Sequence, residues 1–390
     1  MPQRNPEHPG PLSGVVIADF SRVLAGPYAT MLLADMGATV IKVESPAGDE
    51  TRHWKPPVVD DTSTYYLSIN RNKHAIALDL KDPEDLETAK EIIARADILV
   101  ENFKPGNMSR FGLEYESVTD INPEIIYTSI TGFGTQGGAT MPGYDLLVQA
   151  MSGFMSLTGE SDGSPYRAGV AIFDVITGLH TAIGILSALN ERNSSGRGQL
   201  VETNLMSSAL SGLVNQTGGY VLNGEIPHRM GNEHPSIYPY SPLKTGNGDL
   251  VVTIGNDGQF QKLCHLLNAP HLSVDARFST PGSRSANRNE LRQILEELLA
   301  EKSAAEWFEL LSGDGLPCAP INNVQEGVQF AEKIGLEPVI TAGTNQPGIR
   351  NPIEFSRTPA QYPKAPPHID EDRENILSWL SKTSVPTFTF

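Results

Sequence analysis

The sequence is short of basic residues and of cysteine, and each deficit excludes a class of protein. Its 390 residues include 29 lysines and arginines against 46 aspartates and glutamates, a formal net charge of −17 at pH 7. Because nucleic-acid backbones are bound by clustered basic residues, this balance argues against DNA or RNA as a partner. It argues equally against docking on anionic lipid. Two cysteines, Cys264 and Cys318, are too few for a disulfide framework or a zinc site of their own.

Targeting and membrane signals are also missing. No stretch approaches the roughly 18 uninterrupted apolar residues of a membrane span. The start of the chain, MPQRNPEHPGPL, has neither the apolar region of a signal peptide nor the arginine-rich pattern of a transit peptide. Free cysteines fit a reducing compartment. We therefore expect a cytoplasmic protein that binds neither nucleic acid nor membrane.

Familiar cofactor and nucleophile motifs are absent too. The sequence contains no GxxxxGK[ST] phosphate loop, no HExxH zinc motif and no GxSxG elbow. The turn after the first predicted strand reads SRVLAGP rather than GxGxxG, so a dinucleotide cofactor is not indicated. We expect no metal site.

Short apolar runs alternate with helical patterns through the first half of the chain. Apolar runs that predict strands cover residues 14–20, 38–44, 74–80, 96–103 and 124–134. Helical patterns cover residues 25–36 and 83–95, and a later one begins near Asp174. This alternation predicts an α/β fold, a large doubly wound, Rossmann-like domain whose mostly parallel sheet carries helices on both faces.

A second domain is expected, because 390 residues exceed what one hydrophobic core usually organises. The composition changes after about residue 218, and residues 248–255 then predict an isolated strand among helical patterns. We predict a large domain over residues 1–218, completed by residues 335–390. A smaller α+β domain is predicted over residues 219–334.

Two features of the sequence can form a ligand-binding or catalytic site. The first is a set of basic residues near predicted strand ends: Arg71, Lys73, Lys81, Lys104 and Arg110. In an acidic chain they can form a local positive site, although ordinary surface cations have the same spacing.

The second is Asp174 in RAGVAIFDVITGLHTAIG, where the neighbouring residues are apolar or small. A partly buried aspartate at a helix start is often an N-cap. It can also be a nucleophilic carboxylate beside glycine-lined backbone that admits a substrate carbonyl. The residues alone leave both interpretations open.

Together these segments resemble the class III CoA-transferases, a family that includes formyl-CoA:oxalate CoA-transferase, carnitine CoA-transferase and the α-methylacyl-CoA racemases. The ordered matches span nearly the whole chain: PLSGVVIADFSRVLAGPYATMLLADMGATVIKVE, STYYLSINRNKHAIALDLK, ENFKPGNMSRFGL, SITGFG, GYDLLVQAMSGFMSLTGE, AGVAIFDVITGLHTAIGIL and GLPCAPINNVQE. Asp174 occupies the place of the family's nucleophilic aspartate. The resemblance also implies an interlocked homodimer.

The resemblance implies covalent catalysis, with coenzyme A as a thioester co-substrate. Asp174 is expected to attack the donor thioester, giving an aspartyl anhydride, and then to carry CoA as an aspartyl thioester. The dipole of the helix that begins nearby is expected to favour ionised Asp174.

Family contacts to CoA carry over to matching positions: Ala25, Leu78, Lys81, Asn102, Phe103, Lys104 and Arg110. Lys81, Lys104 and Arg110 are the implied phosphate partners. Formyl-CoA:oxalate CoA-transferase has an arginine directly after its second strand, where this chain has Ser45. The missing contact is either absent here or supplied by Arg71 or Lys73.

Tyr144 and Asp145 in GYDLL match active-site positions and are expected to line the acyl pocket, unless they are a core tyrosine and a capping aspartate. The racemases have histidine where this chain has Tyr144. A phenol with a pKa of about 10 is a poor base at neutral pH. Transferase activity is therefore favoured over the alternatives, a 2-methylacyl-CoA racemase or epimerase and a CoA-ester-binding protein without catalysis.

Within the family, STYYLSINRNK, GNEHPSIYPY and GLPCAPINN are most similar to the succinyl-CoA:glutarate branch. This implies succinyl-CoA as donor and a dicarboxylate such as glutarate as acceptor. A distal carboxylate needs a cation, for which the candidates are Arg167, His234, Arg22 and Arg52. Each of these can equally have a structural role.

Overall fold

The computed structural model describes residues 10–234 and 236–382. Its strands are β1 (Val16–Asp19), β2 (Thr39–Glu44), β3 (Val58–Val59), β4 (Thr62–Ser63), β5 (Lys73–Ala77), β6 (Ile98–Glu101), β7 (Ile126–Thr131), β8 (Gln199–Asn204), β9 (Tyr240–Lys244), β10 (Asp249–Thr253), β11 (Cys318–Pro320), β12 (Val339–Ala342) and β13 (Gln346–Ile349). Residues 1–9, in which we expect no targeting signal, lie outside the described part.

The α-helices are α1 (Ala25–Asp35), α2 (Thr64–Ile69), α3 (Pro83–Arg95), α4 (Tyr115–Ile121), α5 (Asp145–Met151), α6 (Phe154–Leu157), α7 (Ile172–Ser195), α8 (Leu205–Gly212), α9 (Asn215–Asn223), α10 (Asp257–Leu266), α11 (Pro281–Ala286), α12 (Arg288–Leu299), α13 (Ala304–Gly313), α14 (Val324–Lys333) and α15 (Arg373–Ser381). Short 3₁₀ helices cover Glu50–His53, Met108–Phe111 and Pro270–Ser273.

Six strands form one parallel sheet in the order β5-β2-β1-β6-β7-β8. From β1 the chain adds β2 and β5 on one side of the sheet, and from β6 it adds β7 and β8 on the other. The direction of strand order therefore reverses between β1 and β6. Ligands of such sheets bind beyond the carboxyl ends of the strands at this switch point. The predicted parallel α/β sheet is confirmed.

Alternate residues of each strand enter different cores, which explains why helices cover both faces of the sheet. Val16 and Ala18 of β1 belong to a core shared with α3 and α15. Ile17 lies between them in sequence and belongs to a second core shared with α1 and α7. Burying each such aliphatic side chain contributes about 1.5–3 kcal/mol, so both faces stabilise the sheet.

Helix α7 is central to the second of these cores. Its 24 residues are long and apolar enough to cross a membrane, with a mean hydropathy of 1.7 in an 18-residue window. Core helices of globular domains pass the same test. Phe173, Ala182 and Ile185 are buried in the core beside the sheet, whereas Leu179 and Ile183 of the same helix are exposed, so α7 packs on the sheet with one face only.

The chain divides into two compact units. The first comprises Met1–Phe154, Arg167–Glu225 and Glu337–Phe390, and it contains the parallel sheet. Its second segment ends at residue 225, seven residues beyond the predicted boundary at 218.

The second unit comprises Met155–Tyr166 and Ile226–Leu336. A three-stranded antiparallel sheet in the order β11-β10-β9 packs against α10, α12 and α13 around a core that includes Phe260 and Trp307. The domain bounds predicted from the sequence differ here, because they include Met155–Tyr166 in the large domain.

Candidate active site

A cavity of about 340 Å³ lies at the carboxyl edge of the parallel sheet. Its walls include the segments that follow four strands: residues 22–25 after β1, 102–105 after β6, 132–134 after β7 and Leu205 after β8. β1 and β6 flank the switch point, so the cavity occupies the place that the topology predicts for a ligand.

A loop over residues 132–143 forms much of one wall, and it begins and ends at a contact between two glycines. A Cβ atom on Gly132 would lie 2.3 Å from the Cα of Gly143. No residue with a side chain fits this crossing, so the two glycines let the loop return to its starting point beside the cavity.

Asp174 reaches the cavity from the first turn of α7. The side chain is half-buried, and its carboxylate accepts no hydrogen bond from any residue within the described ranges. The N-cap position, Ala171, provides no side-chain cap, so Asp174 is not an N-cap of its own helix. Its oxygens are left to face the cavity.

Asp145 supplies the missing cap from another helix. Its Oδ1 accepts hydrogen bonds from the backbone N–H groups of Phe173 (2.7 Å) and Asp174 (3.2 Å), and its Oδ2 accepts one from Gln149 Nε2 (2.5 Å). Gln149 is fully buried, and its Oε1 accepts from the N–H of Ala168 (2.8 Å). Asp145 lines the cavity as predicted, but its carboxylate is engaged in positioning the helix that carries Asp174.

Burial, together with the nearby Asp145 carboxylate, raises the pKa of Asp174 to about 7. Both causes oppose the ionised form that the helix dipole is expected to favour. A carboxylate that is poorly solvated and poorly paired is a stronger nucleophile than one in water.

Most of the predicted cavity residues do meet at this site. Ala25, Asn102, Phe103, Lys104, Tyr144 and Arg167 all line the cavity with Asp174. Tyr144 is 65% exposed, so it is not the core tyrosine that the sequence left open. The amide of Asn102 exchanges two hydrogen bonds with the backbone of Arg22, at 3.0 and 2.7 Å, and the Arg22 guanidinium lies 5.4 Å from the centre of the Phe103 ring.

Two predicted CoA contacts lie inside the fold instead. Arg71 forms a buried bidentate ion pair with Asp35, and Lys73 is 0% exposed and pairs with Asp19. The Leu78 side chain is buried in the hydrophobic core, so the predicted contact of Leu78 with CoA falls to its backbone. Because the charges of Arg71 and Lys73 are already neutralised by internal partners, we withdraw both residues from the CoA site, and neither can replace the contact missing at Ser45.

Lys81 and Arg110 are exposed, follow β5 and β6, and have no acidic partner among the residues that the structure describes. Of the candidates for a distal carboxylate, Arg52 is excluded because it makes a buried bidentate ion pair with Glu44. His234 belongs to the second unit, where its Nδ1 accepts hydrogen bonds from the N–H groups of Ser236 and Ile237.

Sequence reasoning missed several residues of the site. Tyr65 and Trp54 line the cavity, although they lie far from Asp174 along the chain. Gln149 is the buried partner of Asp145, four residues away on α5. That spacing in GYDLLVQ places the two side chains on one helix face and could have indicated the pair.

Three comparisons place the chain among known proteins. The model of CoA-transferase family III matches residues 12–373. Succinate–glutarate CoA-transferase of Agrobacterium fabrum is 40% identical over 403 aligned positions that cover 99% of each chain, and succinyl-CoA:glutarate CoA-transferase of Mus musculus is 41% identical over 96% of this chain and 88% of that one. The crystal structure of a CaiB/BaiF family protein from Brucella suis superposes with a TM-score of 0.89 at 40% identity and covers 95% of this chain and 99% of that one. This chain belongs to CoA-transferase family III and is an enzyme that transfers coenzyme A.

Proposed function

We propose that the enzyme transfers CoA from succinyl-CoA to a dicarboxylic acid such as glutarate, through the carboxylate of Asp174. The observation that carries this proposal is the half-buried Asp174 carboxylate, which lines the cavity from the first turn of α7 and has no partner in the described part of the chain. The similarity to the succinate–glutarate CoA-transferase of Agrobacterium fabrum and the succinyl-CoA:glutarate CoA-transferase of Mus musculus supports the choice of donor and acceptor.

The reaction is four successive acyl substitutions. An oxygen of Asp174 attacks the succinyl carbonyl, the C–S bond breaks, and CoA leaves as a thiolate from a mixed anhydride. The thiolate attacks the aspartyl carbonyl, releasing succinate and leaving CoA as a thioester on Asp174. Glutarate attacks that thioester and expels the thiolate. The thiolate then attacks the glutaryl carbonyl, giving glutaryl-CoA and free Asp174. Because each intermediate is as activated as a thioester, no step is steeply uphill.

CoA is expected to enter along the β1 and β6 segments of the cavity. The backbone at Ala25, the Asn102–Phe103 turn and the Lys104 ammonium line that side. Lys81 follows β5, Arg110 follows β6, and neither makes an ion pair within the described residues, so we propose that they bind CoA phosphates outside the cavity.

Arg167 is the cation that we propose for the distal carboxylate. It lines the cavity and precedes α7, and no carboxylate in the described residues pairs with it. The N–H of the next residue, Ala168, is held by Gln149, so the Arg167 backbone is fixed beside the helix of Asp174. Arg22 also lines the cavity, but its guanidinium packs on Phe103, on the proposed CoA side.

Replacing Arg167 by glutamine is expected to raise KM for glutarate about 10- to 100-fold, because one charge-assisted hydrogen bond contributes about 1.5–3 kcal/mol. The KM for a monocarboxylate of similar length should stay unchanged. Steady-state kinetics with both acceptors measure the difference, and Arg197→Gln, at an exposed site outside the cavity, is the matched control. If Arg22→Gln, and not Arg167→Gln, raises KM for glutarate without changing KM for the monocarboxylate, then Arg22 is the residue that binds the distal carboxylate.

The ionisation of Asp174 should control the pH dependence of catalysis. Since only the carboxylate form attacks and its pKa is about 7, kcat/KM is expected to rise with pH through a midpoint near that value. Asp145→Asn removes a like charge but keeps an oxygen that can accept from the start of α7. The midpoint should then move down by about one pH unit. A pH–rate profile of both proteins measures the shift, and an unchanged or higher midpoint would contradict the role given to Asp145.

The proposed reaction is tested by incubating the protein with succinyl-CoA and a panel of mono- and dicarboxylic acids, followed by mass spectrometry of the CoA esters. New esters confined to dicarboxylates support the proposal, and absence of exchange with every acid refutes it. The racemase alternative predicts deuterium uptake at Cα of a 2-methylacyl-CoA in heavy water. A CoA-binding protein without catalysis would show neither reaction.

We also propose a homodimer, the interlocked form that the sequence resemblance implies. Exposed apolar side chains on two helices support it: Leu179, Ile183 and Leu186 on α7, and Tyr220, Val221 and Leu222 on α9. Apolar groups clustered at a surface in this way mark interaction sites. Analytical ultracentrifugation should give twice the chain mass of 42.2 kDa, and a monomer at micromolar concentration would refute the dimer.

A further inference from the structure

Tyr65 lines the cavity, and its hydroxyl has no role in the four-step reaction described above. It lies in the first turn of α2, where Ser63 Oγ accepts a hydrogen bond from its backbone N–H (3.1 Å). The same Ser63 hydroxyl donates to the carbonyl of Trp54 (2.7 Å), and the Trp54 ring meets the Tyr65 ring edge-on with centroids 5.1 Å apart. Backbone and ring are therefore both held in place.

The cavity that the Tyr65 side chain lines carries three carboxylates, those of Glu50, Asp145 and Asp174, and three cations, those of Arg22, Lys104 and Arg167. Tyr65 lines the cavity together with Asp174 and Asp145, and no described residue forms a hydrogen bond with its hydroxyl. Burial, and then the charges of Asp174 and Asp145, raise the pKa of this phenol above its usual value. Tyr65 therefore stays protonated at neutral pH and is a neutral hydrogen-bond donor on the cavity wall.

The proposed chemistry needs such a donor. When Asp174 attacks the acyl carbonyl, the carbonyl oxygen takes up the electron pair of the broken π bond and becomes an oxyanion. Asp145 lies close enough to raise the pKa of Asp174, and a second anion in the same cavity is opposed by the same repulsion. A donor already oriented toward the developing charge lowers this barrier.

We propose that Tyr65 donates its phenolic hydrogen to the acyl carbonyl oxygen of the CoA ester as the tetrahedral oxyanion forms. The inference rests on the proposed function and assigns a catalytic residue to it. The hydrogen bond strengthens when the C=O π electrons move onto oxygen and weakens when C=O reforms with loss of thiolate. No proton is transferred in the cycle.

Tyr65→Phe removes the donor and keeps the ring against Trp54. We expect kcat for CoA transfer to fall about 10²- to 10³-fold, as for loss of one oxyanion-hole donor. The affinity for the succinyl-CoA ground state, measured by calorimetry on Asp174→Asn and on the Asp174→Asn/Tyr65→Phe double variant, should change less than about twofold, because the hydrogen bond is made in the transition state. Tyr115→Phe, which removes a tyrosine hydroxyl outside the cavity, should leave kcat unchanged.

The pH profile separates this role from two others. If Tyr65 instead held the ground-state carboxylate of Asp174, its removal would raise the kcat/KM midpoint, whereas an oxyanion donor leaves the midpoint in place. A role in packing alone would lower the melting temperature and leave kcat near the wild-type value. Either result overturns the inference. A Tyr65→Phe variant that exchanges CoA at the wild-type rate overturns only the role of Tyr65. A wild-type enzyme that exchanges CoA with no acid overturns the proposed function and this inference with it.

Discussion

Asp174→Asn is expected to abolish CoA transfer without unfolding the protein. An amide does not attack a thioester, so neither the anhydride nor the aspartyl thioester can form. We expect the exchange rate to fall at least about 10³-fold, the scale on which loss of a covalent nucleophile acts. Mass spectrometry of the CoA esters formed from succinyl-CoA and glutarate measures the loss.

Hydroxylamine provides the companion measurement, because it intercepts activated acyl groups. In the wild type, succinyl-CoA plus hydroxylamine should convert the Asp174 side chain to a hydroxamate and inactivate the enzyme. The Asp174→Asn protein should stay unmodified, and Asp120→Asn, at an exposed aspartate on α4, should behave as the wild type does. A hydroxamate on another residue would assign the nucleophile elsewhere.

Asp174→Asn should also make the folded protein more stable against unfolding above neutral pH. Because the folded pKa of Asp174 is about 7, against about 4 in an unfolded chain, its ionisation costs stability as the pH rises between these values. For a half-buried group we take this cost as about 2–4 kcal/mol at pH 8. Asp174→Asn should therefore gain that amount in urea unfolding at pH 8 and almost nothing at pH 4. Equal stability at both pH values would contradict the raised pKa.

The sequence predicts the inner strands well and misses the last strand of the sheet for a physical reason. Strands β1, β2 and β6 are buried on both faces, so they read as continuous apolar runs in the sequence. Strand β8 lies at the sheet edge, and each of its residues is half-buried or exposed. Its sequence QLVETN is therefore as polar as a loop, and only its pairing with β7 reveals it.

The candidate site likewise has features that the sequence predicts and features that appear only in the folded structure. The start of the helix near Asp174 could be predicted because glycine and small residues precede an apolar pattern. The cap that Asp145 provides could not, since the two aspartates are brought together by folding across 29 positions of sequence. The sequence around a lysine in a predicted strand does not show whether its side chain will be buried or exposed. For this reason the sequence predicts Lys73 at the CoA site, whereas the structure pairs it with Asp19. The catalytic role of Asp174 and the cytoplasmic location stay predictions.

A buried charge network supports the cavity wall that follows β1. Asp19 accepts hydrogen bonds from Ser21 N–H (3.0 Å) and from Lys73 Nζ (3.1 Å). Lys42 Nζ donates to the Ser21 carbonyl (3.1 Å) and to Asp49 (3.0 Å). This anchors the turn that leads to Val23, which lines the cavity at a φ of 69°, a conformation that is strained for a β-branched residue.

Asp19→Asn is expected to destabilise the protein by about 3–5 kcal/mol, because it leaves the fully buried Lys73 ammonium without its counter-charge. Burial already lowers the pKa of Lys73 to about 8 in spite of Asp19. Without Asp19 that pKa falls further, so the folded variant binds fewer protons than the folded wild type below about pH 8. The stability deficit should therefore shrink as the pH is raised toward 8, which urea unfolding at pH 6, 7 and 8 can follow.

The double variant Asp19→Asn/Lys73→Met separates the charge from the packing. Removing both members of a buried ion pair is often close to neutral, so the double variant should recover most of the stability lost by Asp19→Asn alone. Its CoA-transfer rate is the second readout, because Ser21 keeps its bond to Lys42 but loses the carboxylate of Asp19. Recovered stability with lowered activity means that Asp19 holds the strained turn at Val23 in place for the substrate. Recovery of both would show that the pair serves folding alone, and no recovery of stability would contradict the unpaired-lysine explanation.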